Sequence, residues 1–279
     1  MNKFKTYLKH PFSFIMLILI CLAALVTVAS IIFIIIYILE KGIPNLTPEL
    51  FSINYNSKNQ SMLPSIINTV YITFFTLLCA VPIGIFSAIY LVEYAKRGSK
   101  LVKVIRITTE TLAGIPSIVF GLFGFLAFVL ALGWGYSMIA GILTLTMMVL
   151  PTIIRTTEEA LLAVPDSYRE GSFGLGAGKL RTIFKIILPS AVSGILSGVI
   201  LAIGRIVGET AALIYTSGTV AEISTSLMDS ARTLSVHLYC LLSEGLFTNQ
   251  AYATAVILLV LVVGINALSN FIAKKIAKT

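Results

Sequence analysis

The chain alternates between long stretches without a charged residue and short polar connectors. The charge-free runs are Pro11–Leu39, Asn59–Val92, Thr111–Ile154, Ile186–Gly204 and Gly245–Ala273. A bilayer core needs roughly 20 apolar residues per helix. Four of these runs fit one helix each. The 44-residue run Thr111–Ile154 is too long for one. Gly133-Trp134-Gly135-Tyr136 lies at its middle, and two glycines beside two interfacial aromatics predict a tight turn between two helices. The pattern predicts an all-α polytopic membrane protein with six transmembrane helices, near 12–39, 64–93, 108–132, 137–157, 190–216 and 249–273. Residues 1–62 would hold the first helix and an external loop. Residues 63–279 would form the core domain, with a cytoplasmic loop over 158–189.

Composition agrees: 57% of residues are hydrophobic and 11% charged, far from the balance of a soluble domain. The basic residues then set orientation. Lys3, Lys5, Lys9, Lys96, Arg97, Lys100, Lys103, Arg106, Arg155, Arg169, Lys179, Arg181, Lys185, Lys274, Lys275 and Lys278 flank the helices on one side; Lys41, Lys58 and Arg232 lie on the other. By the positive-inside rule both termini face the cytoplasm and the protein is a multi-pass membrane protein. The net charge of +8 is an orientation and headgroup charge and calls for no nucleic acid. The N-terminal apolar run exceeds the length of a signal-peptide core and reads as a retained helix. Cys21, Cys79 and Cys240 form no paired motif and read as small buried hydrophobes; His10 and His237 are too distant in sequence to suggest a metal site.

The loop after the fourth helix carries the most specific pattern. Pro165 can open a short helix, with Asp166 and Glu170 near its positive end. Tyr168 and Phe173 supply apolar anchors, and the glycines from Gly174 to Gly178 then turn the chain. Arg181 and Lys185 follow on an amphipathic segment leading to Leu188-Pro189. A nucleotide-binding phosphate loop is excluded: it needs a glycine five residues before Gly178, where Phe173 stands, and a hydroxyl after Lys179, where Leu180 stands. No catalytic constellation appears. If ATP drives this protein, another chain hydrolyses it, and ATP and magnesium belong there.

Two further places hold polar groups in apolar surroundings. Arg205 and Glu209 lie four apart in the fifth predicted helix, on one face and within pairing distance. A charge at mid-membrane costs about 2.5–3.5 kcal/mol on insertion scales, so it is expected to face the bundle interior or a water-filled path. Arg205 offers a planar fork suited to an oxyanion, with Glu209 neutralising it when the path is empty. Equally, the two could form a packing pair that never meets substrate. Glu110 enters the third helix four residues after Arg106, a local pair. Gly114 and Pro116 inside that helix predict a kink or a discontinuity.

The stretch from Glu170-Gly171-Ser172 through Gly176 to Ile186, Leu188 and Pro189 resembles the coupling-loop pattern of ATP-binding-cassette (ABC) importer permeases, with Gly171 and Ser172 in place of two alanines. The segments Thr157–Pro165, Gly204–Ala211 and Ala113–Gly121 resemble the permeases of the phosphate-specific importer, and Ala231–Tyr239 its A-type subunit. The resemblance runs from about Asn68 to the C-terminus. It implies a type I ABC importer permease fold that moves inorganic phosphate inward by alternating access. It implies as partners a homologous C-type permease, two ATPase subunits and an extracytoplasmic phosphate-binding protein. Ser167, Tyr168, Glu170, Gly171, Ser172 and Gly176 would meet the ATPase; Arg205 and Glu209 would line the pathway; Gly114 and Pro116 would form a kink at the gate. The alternatives are a permease for sulfate, molybdate or tungstate, and a secondary transporter or channel without an ATPase.

Overall fold

The computed structural model describes residues 11–96 and 98–276. Lys3, Lys5, Lys9, His10, Arg97 and Lys278 lie outside them. All regular elements among the described residues are helical. Helix α1 (Pro11–Gly42) is apolar all round and exposed, and it packs on α11 (Thr248–Ile276), where the hydroxyls of Tyr37 and Tyr252 lie 3.3 Å apart. An element with no polar face is one that meets lipid. Cys21 is therefore exposed on α1 rather than buried.

Helix α2 (Leu63–Ile89) packs along α5 (Met138–Leu162), and α5 along α8 (Leu188–Val207). Ile72, Leu145, Met148, Val149, Ile153 and Ile206 form the centre of the core at this junction. Close approach is achieved where a side chain is missing. A Cβ on Gly194 would lie 2.6 Å from the Ala160 Cβ, so α5 and α8 touch nearly backbone to backbone, the usual means of tight packing between membrane helices.

The third predicted helix is broken. Helix α3 (Lys100–Ala113) and helix α4 (Ser117–Gly124), the latter continued by a wide turn over Phe125–Ala131, meet at 101°. Pro116 has no N–H to give and its ring bars the helical conformation before it, so the ladder closes early, from Gly114 N to the Thr111 carbonyl (3.1 Å) and from Ile115 N to that of Leu112 (3.2 Å). The fifth helix also departs from expectation. It begins at Lys179, through α7 (Lys179–Thr182) and a wide turn (Ile183–Ile187), and ends at Val207; helix α9 (Ala211–Thr216) follows a break at Gly208–Thr210. Five described helices are long and apolar enough to span a membrane, six with the bent pair counted as one. The turn after the third predicted helix is as expected, with Gly133 and Gly135 both at φ +66°.

The chain from Ser217 to Thr233 folds over one end of the bundle and leads into α10 (Leu234–Glu244), a helix the sequence did not announce. The loop caps the start of α5, where the N–H groups of Met138 and Ile139 reach the carbonyls of Asp229 and Leu227 at 2.8 Å each. Asn68 of α2, fully buried, clasps it: its amide donates to the Glu222 carbonyl (2.8 Å) and its oxygen accepts from Ser224 N (3.1 Å).

Candidate functional site

The connection between α5 and α8 is organised by one short helix, α6 (Asp166–Gly174). Pro165 ends the preceding turn in an extended conformation (ψ 140°) and Asp166 opens the first turn, where a negative charge meets the positive helix end. Gly176, at φ +80°, supplies the left-handed turn that sends the chain back toward α7. Ser167, Tyr168, Glu170, Gly171, Phe173, Leu175 and Gly176 are exposed. Ser172 is not: its hydroxyl lies 2.8 Å from that of Thr182, and it joins α6 to α7 from the inside. The exposed face of α6 is thus a ridge of small residues with Tyr168 and Phe173 beside it.

The inward face carries Arg169, which sequence reasoning used only for orientation. It pairs with Glu93 at 2.8 Å and with Asp166 at 3.2 Å. Glu93 closes a charge-free run, and that isolated acid was the available signal. Next to it, Arg106 donates from Nε to Glu158 at 2.6 Å, and Arg155 reaches Glu159 at 3.0 Å and Glu110 at 3.6 Å. The expected local pair of Arg106 with Glu110 is therefore replaced by bonds across to α5. The two helices pack side by side, and Glu158, nearly buried, is a better-shielded partner than exposed Glu110.

Arg205 and Glu209 are not paired. Arg205 is half-buried in the last turn of α8 and makes no hydrogen bond or ion pair among the described residues. Glu209 lies beyond the helix end. Its carboxylate accepts from Ala212 N (3.1 Å) and its backbone carbonyl accepts from the Ser235 hydroxyl (2.5 Å). The break at Gly208 abolishes the common face that an unbroken helix would have given. Side chains then satisfy backbone groups that lipid cannot, as a broken helix inside a membrane requires. Gly114 and Pro116 are both exposed at the elbow between α3 and α4.

His237 is fully buried in α10, with Arg232 Nη1 3.3 Å from its Nδ1 and the Tyr55 ring edge-on at 6.3 Å. Burial, and secondarily the Arg232 charge, push its pKa down to about 4, the Gln60 carbonyl opposing. The unfolded chain then binds more protons than the folded one between that value and the ordinary 6.5, so stability falls as pH falls through this window. The protection of α10 amides, taken relative to the intrinsic exchange rate at each pH, is expected to fall from pH 7 to pH 5, and His237→Gln to flatten that dependence.

Both the sequence and this helical fold match known proteins. Residues 80–278 match the family described as binding-protein-dependent transport system inner membrane component. The chain belongs to that family. It is 38% identical over 192 residues to the probable ABC transporter permease protein YqgI of Bacillus subtilis, covering 64% of this chain and 65% of that one. It is 38% identical over 190 residues to the phosphate transport system permease protein PstA of Mycobacterium leprae, covering 67% of this chain and 62% of that one. The chain therefore aligns with a little under two thirds of these relatives' length. Among solved structures, a bacterial alginate ABC transporter in complex with alginate pentasaccharide-bound periplasmic protein superposes with a TM-score of 0.70 at 16% identity, over 100% of this chain and 99% of that one. The fold is that of a type I ABC importer permease, and the protein is a multi-pass membrane transport component.

Proposed function

We propose that the chain is the A-type membrane subunit of an ATP-driven importer that carries inorganic phosphate into the cytoplasm. The observation that carries the reading is Arg205: a permanently charged fork, half-buried beside a helix break, with no protein anion paired to it among the described residues. A tetrahedral oxyanion passing the break would meet donors in the geometry a guanidinium offers. Similarity to relatives named as phosphate permeases supports phosphate over other oxyanions.

The ATPase subunits, two of them, would grip the exposed ridge of α6, and a C-type permease would complete the pathway. A phosphate-binding protein would dock on the outer loop. ATP closure would push α6, and the membrane helices would rock about the midplane, with hydrolysis resetting them. ATP and magnesium act on the partner ATPases, and both termini of this chain face the cytoplasm. An impermeant thiol reagent applied to intact cells is then expected to label Lys58→Cys and to spare Lys100→Cys, in a background without the native cysteines. Uptake of labelled phosphate by cells expressing the complete complex tests selectivity: unlabelled phosphate competes and sulfate or molybdate does not. Equal competition by sulfate would reassign the substrate.

A further inference from the structure

The contacts of Arg169 exhaust its guanidinium. Nε and Nη2 donate to Glu93 at 3.0 and 2.8 Å, Nη2 also to the Leu161 carbonyl at 3.0 Å, and Nη1 to the Val164 carbonyl at 2.9 Å and Asp166 at 3.2 Å. A guanidinium has five N–H donors in a rigid fork, and here each has an acceptor. The pair is shielded, with side chains 15% and 9% exposed. Three elements meet at it: α6, the end of α5, and the wide turn Tyr90–Tyr94 that closes α2. That wide turn is an i→i+5 closure, Ala95 N to the Tyr90 carbonyl at 2.9 Å, of a kind frequent at working sites in helices. A cavity of about 550 Å³ lies beside the pair, lined by Glu93, Lys96, Arg106, Asp166 and Arg169 among others. Space around the joint leaves the surrounding chain room to move while the joint itself holds.

Ser172 faces the same way, three residues on, and fastens α6 to α7 and so to the start of α8. The small helix thus presents one face outward and holds two polar fastenings inward, toward different membrane helices. Apolar contacts alone can slide over one another; a charged, multiply bonded joint is directional.

We propose that the Glu93–Arg169 pair is the positioning element that carries displacement of α6 into the second membrane helix. It touches neither substrate nor nucleotide. The proposal rests on the reading that this chain is the permease of an ATP-driven importer. The test uses the whole complex in its native form and with Glu93→Gln, Glu93→Asp and Arg169→Lys, and measures assembled complex, ATP hydrolysis and phosphate uptake. In Glu93→Gln, hydrolysis continues while uptake per ATP falls by about tenfold or more, the size of a lost coupling. Glu93→Asp recovers part of the ratio, and Arg169→Lys loses it as Gln does. If the pair merely held the fold, yield, hydrolysis and uptake would fall together with the ratio unmoved, and the proposal would be overturned. A second measurement needs no change at the pair. Spin labels at Lys96 and Gly174, both exposed and neither among the residues set against the ATPase, should keep one separation in the nucleotide-free and ATP-bound complexes. A separation that changes between the two states overturns the linkage. A native complex without ATP-driven uptake would instead defeat the functional reading on which the linkage rests.

Discussion

Arg205→Gln is expected to abolish phosphate uptake while the complex still assembles and hydrolyses ATP. The guanidinium at the end of α8 has no protein partner among the described residues, so removing it breaks no bond of the bundle. Loss of an oxyanion donor from a low-dielectric path should lower transport by about 100-fold. Arg205→Lys should recover only part of it, since a point charge lacks the fork. Glu209 behaves differently. Glu209→Gln keeps an oxygen to accept Ala212 N and should be mild, whereas Glu209→Leu uncaps α9 and should lower the yield of complex by way of stability, about 1 kcal/mol as for other lost caps. Uptake and assembled complex are measured together in each variant. The packing-pair alternative makes another forecast: Arg205→Leu with Glu209→Leu would restore both yield and uptake. Full transport in that double variant would remove Arg205 from the pathway.

Gly171→Trp is expected to uncouple hydrolysis from transport with the permease still inserted. A Cβ at Gly171 meets nothing within 4 Å, so the chain itself has room for the side chain and only a docked partner would collide with it. Gly176→Trp should uncouple as well, but it adds strain, because its φ of +80° is a conformation that costs a non-glycine residue about 1–2 kcal/mol. The contrast separates a docking effect from a folding one. Cross-linking to the ATPase should succeed from Ser167→Cys and fail from Ser172→Cys, whose side chain is turned inward to Thr182. No cross-link from any exposed position of α6, in a complex that transports, would contradict a coupling role for this helix.

Much of this molecule is written in short-range pattern. Charge-free runs give the membrane helices, Pro116 gives the elbow, and Pro165 with Gly176 brackets α6. What was hidden depends on geometry at a distance. An i,i+4 rule paired Arg205 with Glu209 on the premise of continuous helix, and a break after Val207 removed the premise. The same rule paired Arg106 with Glu110, but packing of α3 on α5 offered Glu158 instead. Asn68 lies inside a charge-free run and Glu93 just past its end, and neither has its partner nearby in sequence. Only the fold shows that one clasps the loop before α10 and the other receives Arg169 from 76 positions away.

ATP-driven phosphate import is tested most directly by reconstituting the chain in proteoliposomes with the C-type permease, two ATPase subunits and the phosphate-binding protein, and following labelled phosphate. Phosphate should cross from the binding-protein side only when ATP and magnesium are supplied on the ATPase side, and flux should cease when the ATPase subunits are omitted. Phosphate flux that persists without ATP or without the ATPase subunits would contradict ATP-driven import.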